Sequence, residues 1–275
     1  MAIIEETVRS DFRIGDTLGK IFNIFFSKFI PLNLLVLIIQ GPLIIWAYFW
    51  DAEAISYVGE NPLEAINWSQ ISITFVLALV LYYVATAAVT YGVFQELSGR
   101  KLHVGESLSK GLSVTLSTIF AGIMLFVIVL IGGVILGGAG SVLFNMFGWL
   151  GAILFVIPAV YALLIFLVVL PVVIVENPGV FASFGRSVEL TKNSRWALLG
   201  MLVIFGVMLA ATDWLFEMIS TSILLMNFDL AVTIGTFVYQ VLKTTIGIVF
   251  IAVIYNNLRV SKEGVSPNQI ASVFD

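Results

Sequence analysis

Residues 112–136 read LSVTLSTIFAGIMLFVIVLIGGVIL, twenty-five consecutive positions without a charged side chain. At about 1.5 Å rise per residue a helix of this length reaches roughly 38 Å, enough to cross a hydrocarbon core about 30 Å thick. A transmembrane β-strand would be shorter and would alternate apolar with polar positions, which this run does not do. In lipid a helix is favoured because each backbone N–H and C=O pairs within its own segment.

Five further stretches have the same character, at residues 29–49, 71–94, 149–170, 197–219 and 232–255. Pro158 lies inside the fourth, where a kink rather than a break is expected. The whole composition agrees: of 275 residues 60% are hydrophobic and 11% charged, with mean hydropathy +1.08. Soluble domains average about 45–50% apolar and about 25% charged, so so few charges cannot cover so much apolar surface in water. The reading is an all-α polytopic membrane protein, a single domain over residues 1–275 with six transmembrane helices.

The basic residues give an independent test. Arg9, Arg13, Lys20 and Lys28 precede the first span; Arg100, Lys101 and Lys110 lie in the second connection; Arg186, Lys192 and Arg195 lie in the fourth; Arg259 and Lys262 follow the sixth. The first, third and fifth connections, near residues 50–70, 137–148 and 220–231, hold none, and Lys243 falls within the last span. Positive charge is retained in the cytoplasm, so both termini are expected there, in the cell (inner) membrane. The first apolar run is too long, and too far behind Glu5, Glu6, Asp11 and Asp16, to read as a cleaved signal peptide. The connection at 50–70 carries Asp51, Glu53, Glu60 and Glu64 beside Trp50, Tyr57 and Trp68. A solvated loop with interfacial aromatics is preferred there over a cation site.

A small pattern recurs before the odd-numbered spans: Thr17-Leu18-Gly19-Lys20, Ser107-Leu108-Ser109-Lys110 and Ser183-Phe184-Gly185-Arg186. In the first copy Leu18, Ile21, Phe22, Phe25, Phe26 and Phe29 share one helical face, and Asp16, Lys20, Asn23 and Ser27 the other. Such a helix lies in the membrane interface. Val104, Leu108 and Leu112 make a shorter stripe in the second copy, and Phe181, Phe184 and Val188 in the third. Three amphipathic elbows, at about 15–28, 104–111 and 179–192, each followed by a transmembrane hairpin, are therefore expected. Duplication and convergence of cytoplasmic elbows both fit the pattern.

Among polar residues inside the spans, Lys243 is placed near the midplane, where a lysine costs about 2.5–3.5 kcal/mol on insertion scales. Asp213 and Glu217, one turn apart in the fifth span, are its candidate partners, with Gln240 and Thr244 as alternatives. An ion pair joining the last two spans is preferred over an ion or proton relay. Gly133 and Gly137 have GxxxG spacing and are expected at a close helix contact.

Elsewhere the reading is sparser. Glu176-Asn177-Pro178-Gly179 reads as a turn into the third elbow, with Asn177 as cap and Pro178 at the first helical position. Glu176 has no second carboxylate nearby in sequence for acid–base work. His103 reads as a solvated side chain. Ser266-Pro267-Asn268-Gln269-Ile270 predicts a short terminal helix with Ile270, Val273 and Phe274 on its apolar face, in a cytoplasmic tail over 256–275.

The chain has no cysteine and one histidine, which excludes disulfides, thiolate chemistry and a multi-histidine metal site. Net charge −4 and pI near 5.0 argue against nucleic-acid binding. No nucleophile-elbow, zinc-peptidase or phosphate-loop motif occurs. No catalytic residue, cofactor site or metal site is therefore assigned.

Tyr255-Asn256-Asn257-Leu258-Arg259 followed by Lys262-Glu263-Gly264 resembles the closing signature of the glycerophosphoryl diester phosphodiesterase membrane-domain family and related uncharacterised six-span bacterial proteins. Pro171-Val172-Val173-Ile174-Val175-Glu176, then Ser183, Arg186, Ser187 and Leu190, is similar to that family's segment between its fourth and fifth spans. The resemblance implies the six-span membrane part without the catalytic domain, and it transfers no catalytic residue.

The function expected first is a non-catalytic scaffold, assembly or regulatory module. Its partners would be the lipid bilayer and another membrane protein or a second copy. A small transporter or channel using Lys243, Asp213 and Glu217 is the alternative, and a lipid-modifying enzyme ranks last. Because cysteine is absent, Lys101→Cys and Lys262→Cys single variants test the topology. Both are expected to react with an impermeant maleimide only after the membrane is opened; reaction from opposite sides rules out six spans.

Overall fold

In the computed structural model five of the six apolar runs lie in helices of 26 to 44 residues, and the fourth is split in two. Residues 13–54, 68–147, 149–226 and 228–264 are described. Their helices are α1 (Ile14–Ser27), α2 (Phe29–Ala54), α3 (Trp68–Leu97), α4 (Val104–Phe147), α5 (Trp149–Phe166), α6 (Val169–Val175), α7 (Val180–Thr191), α8 (Arg195–Leu224) and α9 (Asp229–Glu263). No strand occurs among the described residues. Five helices are long and apolar enough to cross a membrane, or six if α1 and the first part of α2, bent by 74°, form one span. The chain is a membrane-embedded helical protein.

Two expected boundaries move. The third connection, expected over 137–148, is mostly helical, because α4 continues through its glycines to Phe147. Glycine costs about 1 kcal/mol per helical position. Leaving backbone groups unpaired beside apolar surroundings costs more, so the helix persists. The second elbow is likewise not a separate element: residues 104–111 are the first two turns of α4. The first and third elbows are separate helices, α1 and α7. The helix expected after Ser266 lies outside the described residues, as do Glu60, Glu64 and Tyr57.

Prolines explain two of the breaks. A proline lacks an N–H and its ring crowds the carbonyl four residues upstream. Pro31 stands four residues after Ser27, where α1 ends and the chain bends. Pro171 stands four after Leu167, and the interruption between α5 and α6 falls at Leu167 and Val168. The fourth span is thus broken there, while α5 runs through Pro158 without interruption. Near this gap the Ser187 hydroxyl donates to the Ile165 carbonyl at 2.8 Å, meeting part of the backbone's need.

The turn into α7 also differs from expectation. Its N-cap is Gly179, at φ 96° and ψ 154°, rather than Asn177. That region of backbone space is open essentially to glycine alone. Asn177, at φ 45°, instead follows the C-cap of α6, a left-handed position that asparagine tolerates. Pro178 lies between the two helices.

Thr17, Ser107 and Ser183, the hydroxyl residues of the three sequence copies, are each the fourth residue of their helix and each buried. Thr17 and Ser183 donate to the carbonyls of Arg13 and Gly179, four residues back. Ser107 donates to Gln95 Oε1 at 3.1 Å, which also accepts from the His103 backbone N–H and so ties the connection to α3. The His103 side chain is itself exposed.

The packed core occupies one end of the bundle, the end carrying the basic connections. Leu32, Leu35 and Val36 of α2, Val89 of α3, and Phe250, Ile254, Tyr255 and Leu258 of α9 are all buried there. Phe205 of α8 stacks on Phe250 with ring centroids 4.0 Å apart. At the other end Ile73, Phe75, Val76, Trp214, Leu225 and Leu230 are exposed, as lipid-facing residues are. α9 is the central rod, touching α1, α2, α3, α6, α7 and α8.

Close approach between α3 and α4 is made by Gly111 and Gly122, which have no GxxxG spacing. A Cβ on Gly111 would meet the Ala88 backbone at 2.8 Å, and one on Gly122 would overlap the Tyr83 ring. Gly133 and Gly137 lie on the backbone of α4, but their surroundings are outside the described residues. Small residues let two backbones approach in a membrane. Gly111→Ala is expected to destabilise the bundle by about 1–3 kcal/mol through overpacking. Gly132→Ala, with no neighbour within 4 Å of its added Cβ, should be near neutral. Thermal unfolding of both variants in detergent measures the contrast.

Candidate functional site

Two ionic constellations stand out, one in each half of the bundle. The first begins with the break in the fourth span, which places Glu176 at the end of α6 facing α7 and α9. Glu176 Oε2 accepts from Arg186 Nε at 3.0 Å, and its Oε1 accepts from the Tyr255 hydroxyl at 2.7 Å. Arg259 Nε lies 3.8 Å from the same Oε1 and donates to Glu263 at 2.9 Å. Arg186 also pairs with Glu263, and with Glu189 at 3.2 Å.

Side chains of Glu176, Arg186, Arg259 and Glu263 are 16–25% exposed, and Tyr255 is fully buried. Burial works against the charge on Arg186, but Glu176 and Glu189 outweigh it and hold the guanidinium more firmly protonated than usual. Glu176 therefore does have carboxylates near it in space. Arg186 stands between them, so the pair bridges helices and no shared proton is set up for acid–base chemistry. The residues carrying the sequence resemblance, 79 positions apart at Glu176 and Tyr255, converge here.

The second constellation joins α8 to α9. Lys243 Nζ donates to both carboxylate oxygens of Asp213, at 2.7 and 2.9 Å. Tyr239 donates to Asp213 at 2.6 Å and stacks on Phe216 with ring centroids 4.3 Å apart. The lysine's long stem carries its ammonium across to α8. Glu217 and Gln240 do not join this pair. Both are exposed and line an adjoining cleft of about 470 Å³ with Asp213, Ser220, Thr236 and Tyr239. Glu217 has no cationic partner among the described residues. Thr244 is partly buried on the far side of Lys243 in sequence.

The recurrence of polar side chains every three to four residues on both helices is the signal that would have found this cleft: Asp213, Glu217, Ser220 and Thr221 on α8, Thr236, Gln240 and Lys243 on α9. A third polar contact fastens α5 to α8, where the Arg195 guanidinium lies 4.7 Å over the Tyr161 ring and donates to its hydroxyl. No group of three or more metal-ligating side chains occurs among the described residues.

Comparison with protein-family models, curated proteins and solved structures finds no match to this chain. The class of protein is accordingly defined by its own fold: a helical membrane bundle packed at one end and open at the other.

Removing one member of each constellation separates their roles. Glu176→Gln leaves Glu263 as the more buried carboxylate facing both guanidiniums and is expected to cost roughly 1–3 kcal/mol, below the cost of leaving a fully buried charge unpaired. Detergent unfolding measures it, and Arg186→Gln in the same chain should cost less than the sum of the two single changes. Lys243→Met leaves Asp213 unpaired and should reduce accumulation in the membrane, while Asp213→Asn with Lys243→Met recovers it. Quantitative immunoblotting of membrane fractions reads the recovery.

Proposed function

We propose that this protein is a non-catalytic module of the cytoplasmic membrane, with both termini in the cytoplasm, that scaffolds, assembles or regulates another membrane component. The observation that carries the reading is the exposure of the Asp213 and Lys243 side chains, 44% and 33%, on helices whose surroundings are otherwise apolar. A polar pair facing hydrocarbon is costly, and a neighbouring polypeptide relieves that cost by covering the pair and the hydroxyl-lined cleft beside it. The clustering of the basic connections at the packed end supports the orientation. The resemblance to the membrane part of glycerophosphoryl diester phosphodiesterases agrees with a role carried out inside the bilayer.

A second reading, a small transporter or channel with a polar path through Lys243, Asp213 and Glu217, is favoured by the cleft itself. Beyond Lys243 such a path meets Phe205 stacked on Phe250 and the buried Val249 and Val253, so conduction requires that half of the bundle to open.

Photocrosslinkers placed at Ser220 and Thr236 distinguish the two. Assembly predicts protein adducts at both positions in native membranes and none at Leu116, an exposed apolar site on α4. Lipid adducts alone at all three positions, together with ion or solute flux in liposomes that Lys243→Met abolishes, replace the first reading with the second.

A further inference from the structure

The cavity at the packed end is separate from both ionic constellations. It is an open cleft of about 440 Å³, lined by Gly19, Lys20, Asn23 and Ser27 of α1 and by Glu96 and Leu97 at the end of α3. We propose that it binds a phosphate-bearing anion, with Lys20 as the charged contact, and that an anionic phospholipid headgroup supplies it.

The charge balance carries the argument. Glu96, the one carboxylate in the lining, is matched by Lys28 at 3.0 Å. Lys20 has no carboxylate within 4.0 Å among the described residues. Its one hydrogen bond among the described residues is a long one, 3.4 Å to Asn257 Oδ1. The Asn257 amide is fixed in turn by donating to Thr17 at 3.0 Å, so it cannot swing closer without losing that bond. Burial already holds the Lys20 ammonium below the usual lysine range, which marks a cation lacking full compensation. An anion would complete its donor set, and Asn23 and Ser27 offer further donors along the same face.

The position selects the ligand. α1 is amphipathic: Ile21, Ile24 and Phe25 are buried in the core, and Phe26 is exposed on a different face from Lys20. A helix of this kind rests at the boundary between headgroups and acyl chains, so the polar lining of the cavity lies at phosphate depth. The basic end of a membrane protein also faces the leaflet where anionic lipids attract such residues.

The full-length protein in maltoside detergent, titrated with phosphatidylglycerol and followed by thermal unfolding, tests the proposal. The wild type should gain stability, and Lys20→Met should need about tenfold more lipid for the same gain, the size of one charge-assisted contact. Lys20→Arg should retain the response. Lys110→Gln, which removes an exposed cation elsewhere on the same end, should leave it unchanged. A response to inorganic phosphate equal to that of the lipid assigns the same site to soluble phosphate. Equal stabilisation by phosphatidylcholine, an unaltered response in Lys20→Met, or an equal loss in Lys110→Gln overturns the site.

Discussion

Glu176 is shared by two guanidiniums and a phenol, and the geometry of the packed end follows from that junction. It holds the end of α6 against α7 and the last turns of α9, helices that approach it from sequence positions far apart. The junction exists because the fourth span stops short: Pro171 interrupts it at Leu167 and Val168, and the short α6 then carries Glu176 inward. A straight fourth span would have carried Glu176 elsewhere. The intact set is neutral between its two arginines and its two more buried glutamates, and removing a single partner leaves it with one unbalanced charge.

The two halves of the bundle are built on different physics. At the packed end interdigitated side chains and the ionic junction fix the helices, with α9 buried between its neighbours. At the other end the helices present leucine, isoleucine and tryptophan outward, and the polar exceptions gather on the facing sides of α8 and α9. Lipid tails are as apolar as those side chains, so polar contacts such as the Asp213–Lys243 pair, together with the Tyr239 stack, hold α8 to α9 there. The cleft lies where packing is weakest, which is where a partner or a solute has room to enter.

Much of the fold was legible in the sequence because lipid reduces the problem to length and polarity. Residues 112–136 have one way to satisfy their backbone in hydrocarbon, and the runs around 71–94, 197–219 and 232–255 lie inside helices of the structure. Helix ends were harder. Four prolines fall within or beside apolar runs, yet only Pro31 and Pro171 coincide with breaks, since neighbouring helices can absorb the loss at Pro42 and Pro158. Close approach at Gly111 and Gly122 was not legible, because it depends on what stands opposite, Ala88 and Tyr83, which one segment cannot reveal. Asp213 and Lys243 could be matched because both are rare in such surroundings. Glu176 could not be matched to Arg259, because nothing local links residues so far apart.

The length of α4 has a consequence of its own. Forty-four helical residues make a rod of about 66 Å, roughly twice the hydrocarbon thickness. Transmembrane helices lean by at most about 40°, which still leaves this one spanning roughly 50 Å along the membrane normal. Some 20 Å of it therefore stands clear of the acyl chains. Part of that projection is the polar beginning near Glu106, but the far tip is oily, with Val142 more than half exposed.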